Sequence, residues 1–294
     1  MPFAFFRMST LQVAAALLLV ALPAPSSNAG EAKLVSSDWH IAHASRVRLV
    51  GGGLFNAADP NSPRVAGVEI RLDPNWKTYW RMPGEAGVPP QFDWSKSENV
   101  ASVDVLYPAP RRYPDKGGDA VGYSGSVIFP VIVTPKDATK PVKLSLEMAF
   151  GVCKDICVPL ETTLGVDILR PAAGTAPPPA LKDMLDRVPR QATGLRKTDP
   201  RVTSVTGAVS AAPRTVTVVT EASADAPVED VFLEGADGRY VPMARRVDGA
   251  TETKASFSID FGRLSDAADY VGKPIRITVV GRSGASETVF TPSK

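Results

Sequence analysis

An all-β architecture, two antiparallel sandwiches joined by a Pro-rich linker with a short helix, follows from three features of the sequence. Apolar and polar residues alternate with period 2 in short runs, clusters of Pro, Gly and Asp separate the runs, and one stretch, 171–200, interrupts them. With 294 residues, 44% hydrophobic and 22% charged, the chain can bury one large core or two smaller ones and is too apolar for a disordered polyelectrolyte. Lys and Arg total 33 against 31 Asp and Glu, which excludes a strongly basic nucleic-acid binder. Two Cys and two His exclude a disulfide-dense scaffold and a multi-ligand zinc site built from those residues alone.

In chain order, the first element is a leader. Arg7 supplies a positive start, Leu11 to Leu22 form an apolar run, and Ser27-Asn28-Ala29 offers the small residues a signal peptidase reads, so cleavage is expected after Ala29. Pro23 and Pro25 end the run short of the roughly 20 apolar residues a membrane span needs. No later segment is apolar enough to span a bilayer, so the mature chain is expected in an exported, oxidising space, in a bacterium the periplasm.

The first sandwich is expected over 30–170. Val142, Leu144, Leu146 and Met148 alternate with polar or small neighbours, Leu164, Val166 and Ile168 repeat the pattern, and further strands are expected at Arg46–Val50, Val65–Leu72, Val100–Tyr107 and Val127–Val133. Gly51-Gly52-Gly53 lacks the helix and spacing of a dinucleotide loop and reads as a turn or bulge, and His40 and His43 read as surface residues rather than metal ligands. Over 171–200, Pro177-Pro178-Pro179 makes a stiff spacer, and Ala180–Val188 carries Leu181, Met184, Leu185 and Val188 on one side of a short helix that Pro189 stops. Alternation resumes over 201–294 with Val216 and Val218, then Phe257, Ile259 and Phe261, then Ile275, Ile277 and Val279. This second sandwich holds neither Cys nor His and is assigned no chemistry.

The chemistry concentrates in Phe150 to Glu161, where Cys153 and Cys157 sit at or beside the tip of a hairpin with three residues between them. A structural bond closing so small a ring would contribute only about 2 kcal/mol through loop entropy, a weak staple for a chain with two β-cores. Reversible exchange suits an exposed pair of thiols better. A soft-metal reading also stands: two thiolates with Met148 nearby would suit Cu(I).

The succession Gly67-Val68-Glu69-Ile70, Trp76-Lys77-Thr78-Tyr79-Trp80, Tyr107-Pro108-Ala109-Pro110-Arg111-Arg112-Tyr113, Gly122-Tyr123-Ser124-Gly125 and Cys153 to Pro159 resembles the amino-terminal periplasmic domain of the DsbD and ScsB thiol:disulfide interchange proteins, over roughly residues 36–170. The resemblance implies an immunoglobulin-like fold, thiol–disulfide oxidoreductase chemistry without a cofactor, and Cys153 and Cys157 as the redox pair. It also implies a cap loop over the cysteines, within Tyr113 to Tyr123 and including Pro114, Asp115 and Lys116, with Trp76, Tyr79 and Trp80 lining a neighbouring docking surface. The implied partners are periplasmic thioredoxin-like proteins. The cysteine spacing and the second sandwich resemble the ScsB-like branch. Because the chain ends at Lys294 without a membrane conduit, a separate membrane-embedded electron donor is expected. In exchange, Lys154 favours a thiolate and Asp155 opposes it, and the resemblance makes Cys157 the partner-linked cysteine. The competing class is a copper-handling or non-catalytic protein-binding module with a structural disulfide.

Overall fold

The computed structural model describes Met1 and residues 30–293 apart from 116, 236, 237, 248, 250 and 252; the leader and its cleavage site, and Lys116, lie outside the described residues. Twelve strands come first: β1 (Val35–Ser36), β2 (His40–Ala42), β3 (Ser45–Leu54), β4 (Arg64–Leu72), β5 (Lys77–Gly84), β6 (Gln91–Asp93), β7 (Val100–Val105), β8 (Arg111–Tyr113), β9 (Ala120–Ser124), β10 (Ser126–Pro135), β11 (Val142–Cys153) and β12 (Cys157–Ile168). They form two six-stranded sheets, one ordered β1-β3-β4-β10-β7 with β2 on β3, the other β12-β11-β5-β9-β8 with β6 on β11. The inward residues of the first, including Leu49, Val68 and Phe129, meet Trp80, Leu144, Leu146 and Phe150 of the second in one buried core.

After the helix α1 (Pro179–Asp186) come β13 (Arg190–Gln191), β14 (Arg201–Gly207), β15 (Thr215–Glu221), β16 (Val228–Gly235), β17 (Arg245–Val247), β18 (Lys254–Asp260), β19 (Ile275–Gly281) and β20 (Gly284–Phe290). Their sheets run β13-β20-β19-β16 and β14-β15-β18-β17. The short β13 pairs with β20 in parallel, and the other pairings are antiparallel. The protein is thus two immunoglobulin-like β-sandwiches with a short helix between them.

The short strands β1, β6, β8 and β9 were not expected, and two longer elements also differ from the sequence expectation. Strand β5 was not expected, because it is covered on both sides: Thr78, Tyr79, Trp80 and Met82 are all buried, which erases the alternation that marks a half-exposed strand. The linker, expected as a stiff spacer, is docked on the first sandwich. Leu181 of α1 packs on Val50, Val65 and Ile128, while the Leu54 and Ala32 amides donate to the Thr175 and Ala176 carbonyls. The glycine triplet is a bulge where the β3–β4 register shifts between Gly51 and Leu54. Gly53 there has φ +80°, and a Cβ would lie 2.6 Å from the Ala176 and Pro177 backbone, so only glycine lets the linker lie this close.

The two sandwiches meet directly. Phe232, Met243, Val280 and Ala285 join the first core, and the Phe232 ring lies 5.8 Å from that of Trp80. Arg81 pairs with Glu234 (2.6 Å) and with Glu287 across the same boundary.

Candidate functional site

Strands β11 and β12 stay in register from Val142 opposite Ile168 to Cys153 opposite Cys157. The three-residue turn beyond is closed by the Lys154 amide donating to the Ile156 carbonyl at 3.3 Å. Facing positions at the end of a ladder bring two Cβ atoms within disulfide reach, and the two sulfurs are bonded, with the Cα atoms 4.1 Å apart. Period 2 sends Met148, Phe150 and Val152 into the core and leaves Cys153 on the outer face. That face is covered. Cys153 is only 2% exposed beneath Tyr79, Ala120 and Tyr113, while Cys157 is exposed. One sulfur of the bond is therefore sealed and the other open.

Tyr79 comes from β5, whose start pairs with the end of β11, Thr78 opposite Val152 and Lys77 opposite Cys153. Its ring fits because glycines flank it: a Cβ on Gly87 would lie 2.4 Å from one ring edge and a Cβ on Gly151 3.1 Å from the other. The hydroxyl lies 3.1 Å from Cys157 Sγ and, since a disulfide sulfur carries no proton, is the donor. Burial, and then the negative charge of Asp115, raise the Tyr79 pKa, so the phenol keeps its proton.

The loop 114–119 joins β8 to β9, with Tyr113 opposite Ala120 at its base. Asp115 accepts from Lys77 Nζ at 2.5 Å, which ties the loop to the strand position facing Cys153. The Tyr113 hydroxyl donates to Ser124 Oγ at 3.0 Å, and Pro114 is exposed. Asp119 and Glu85 exchange bonds at the far end: the Asp119 amide donates to the Glu85 carboxylate and the Glu85 amide to the Asp119 carbonyl, both at 2.9 Å.

The expected set therefore divides. Tyr79, Tyr113 and Asp115 gather at the cysteines. Trp80 does not: it faces the opposite side of β5 from Tyr79 and is fully buried in the core. Tyr123 is likewise a core residue, its ring 5.3 Å from Phe129 and its hydroxyl donating to the Pro108 carbonyl at 2.7 Å. Trp76 is partly buried and meets His43 edge-on at 4.8 Å. Sequence reasoning missed Lys77 as a site residue, Gly87 and Gly151 as the slot for Tyr79, and the exposed Val88 and Ile156 near the open sulfur. Ile156 was detectable: an apolar residue in a turn between two cysteines has no core to enter. Met148 lies on the core face, about 16 Å along the strand from Cys153, so it does not join the sulfurs in a copper set. Among the described residues no three His, Cys, Asp or Glu side chains are placed to hold a metal ion.

A hairpin-end disulfide on an immunoglobulin-like sandwich, one sulfur buried and one exposed, defines the class of this protein. Residues 53–166 match the family described as thiol:disulfide interchange protein DsbD, N-terminal. The crystal structure of the N-terminal periplasmic domain of ScsB from Proteus mirabilis shares the fold, with a TM-score of 0.63 at 19% identity, covering 88% of this chain and 98% of that one. The C-terminal domain of the Streptococcus agalactiae AgI/II polypeptide BspA aligns at 8% identity over 78% of this chain and 92% of its own, with a TM-score of 0.12, which carries no argument. No curated protein matches the chain significantly.

Proposed function

We propose that this is a periplasmic thiol–disulfide exchange protein that passes electrons through Cys153 and Cys157 from a separate membrane-embedded reductase to periplasmic thioredoxin-like partners. In this reading 1–29 is the signal peptide, 30–170 the redox domain, 171–200 the linker and 201–294 a second domain. The observation that carries it is the asymmetry of the bond: Cys157 is exposed and Cys153 is 2% exposed. Among the described residues no helix is long and apolar enough to cross a membrane.

The asymmetry sets the order of steps. A donor thiolate attacks Cys157 Sγ, the Cys153–Cys157 bond breaks, and its electron pair stays on Cys153, which takes a proton. The donor's second thiolate then attacks the donor sulfur of the mixed disulfide, so the donor leaves oxidised and Cys157 leaves as a thiolate. In the second half Cys157 attacks the partner's disulfide and expels one partner thiolate. Cys153, deprotonated, then attacks Cys157 Sγ, restoring the original bond and releasing the partner as a dithiol with two electrons gained. Tyr79 is placed to donate to the Cys157 thiolate, and Lys77 brings positive charge opposite Cys153. Val88 and Ile156, 47% and 67% exposed, give a partner apolar contact beside the open sulfur.

The test is mixed-disulfide trapping from periplasmic extract without reductant. Cys153→Ser leaves the open sulfur without its resolving partner, so it should accumulate a reducible complex with a thioredoxin-like protein, and Cys157→Ser should accumulate far less. If neither variant traps such a protein, the exchange reading fails and the domain is a binding module with a structural disulfide.

A further inference from the structure

The cap that Tyr113 and Ala120, at the paired ends of β8 and β9, form over Cys153 is anchored outside its own sandwich. Arg112, at the root of the loop, donates through Nη1 to the Asp119 carboxylate at 3.0 Å, which holds the other end of the loop. Its remaining donors cross to the second sandwich: Nε and Nη2 take the two oxygens of Asp230 at 2.8 Å each, and Nη2 also reaches the Ala244 carbonyl at 2.8 Å. Two-point recognition of a carboxylate by a guanidinium fixes orientation as well as distance. Asp230 sits where the β16–β19 register shifts, a bulge that re-aims a side chain out of the ladder, and its Oδ1 accepts from the Val231 amide at 2.8 Å. Burial opposes the charge on Arg112, and the Asp230 and Asp119 carboxylates outweigh it. Glu85, bonded to Asp119, lines a cavity with Tyr240, Met243 and Arg245 of the second sandwich.

We propose that the second sandwich positions this cap, Tyr113 and Ala120, over Cys153, with Arg112 as the positioning residue, and thereby confines exchange to Cys157. The inference deepens the exchange reading and rests on it for its purpose, but its test needs no natural partner. A loop joined to its own sandwich alone would open by local fluctuation, whereas one clamped at both ends of its root opens only when the clamp is released.

The experiment is a timed iodoacetamide pulse on the reduced full chain. In each reaction a cysteine thiolate displaces iodide and forms a thioether, so the rate reports access to that sulfur. Lys154 lies between the cysteines, and trypsin places them on separate peptides, so each molecule carries its own control. Asp230→Asn should raise the alkylation rate of Cys153 relative to Cys157 by about threefold or more, and Arg112→Lys, which keeps the charge and loses the fork, should do the same. Asp119→Asn should match them from the loop side. Unchanged ratios in Asp230→Asn and Arg112→Lys overturn the inference, as does a rise confined to Asp119→Asn, which would mean the first sandwich holds the cap by itself. Equal acceleration at both cysteines also overturns it, since general loosening and not the cap would then be responsible. Should Asp230→Asn fail to fold, Arg112→Lys decides in the same terms. Failure of trapping with an intact alkylation result would remove the electron-transfer reading and leave the clamp standing.

Discussion

Tyr79 and Trp80 are neighbours on one strand, both aromatic and both buried, yet they work on opposite faces of the same sheet. On the inner face Trp80 fills the core with Phe150 and Val152 and touches Phe232 of the second sandwich. On the outer face Tyr79 covers Cys153 and reaches the sulfur of Cys157. Burial therefore does not separate packing from chemistry here; the parity of the residue along the strand does, because the disulfide occupies the face turned away from the core.

That contrast breaks most visibly at Trp80. Trp80→Ala should cost about 3 to 5 kcal/mol, read as a lower denaturant midpoint, while the alkylation rate of reduced Cys157 stays at its wild-type value wherever the variant is folded. A change at the cysteine as large as the change in stability would mean that the two faces are coupled. Reducing the disulfide should cost about 2 kcal/mol and leave the near-UV signal of the folded aromatic residues in place, because the ring it closes is short. Loss of that signal on reduction would turn the outer face into a second structural core. The smallest expected effect is at Tyr79: Tyr79→Phe keeps the ring in its glycine slot and should change stability by about 1 kcal/mol or less, yet slow alkylation of reduced Cys157 at neutral pH by about threefold, because the donor to the thiolate is gone. An unchanged rate would reduce Tyr79 to a lid.

The sequence carried most of the first sheet and the β11–β12 hairpin of the second, and little of the cover over the outer face of the second. Strands such as Val142–Met148 face core on one side and water on the other, so their alternation predicts both their existence and their inward residues. Cys153 and Cys157 were readable for a related reason, since two cysteines in one hairpin can only be local to each other. Strand β5 was opaque because it is covered on both sides, and with it went the separation of Tyr79 from Trp80. Nothing in the chain around Asp230 marks it as the partner of Arg112, a residue 118 positions earlier, because a contact made by folding leaves no period to detect.

The linker settles how firmly such distant contacts are held. A flexible chain of 30 residues would let its ends wander roughly 30 Å apart on average, diluting one sandwich around the other. Here residues 174–176 are hydrogen-bonded to the first sandwich, α1 is seated on it, and the Ala109 amide holds the Arg187 carbonyl at 2.9 Å, so only Val188 and Pro189 separate that anchor from β13, a reach of roughly 10 Å from Arg187 to Arg190. Such a tether raises the effective concentration of Asp230 around Arg112, so when their contact breaks the partner carboxylate remains close by and the contact re-forms without a search.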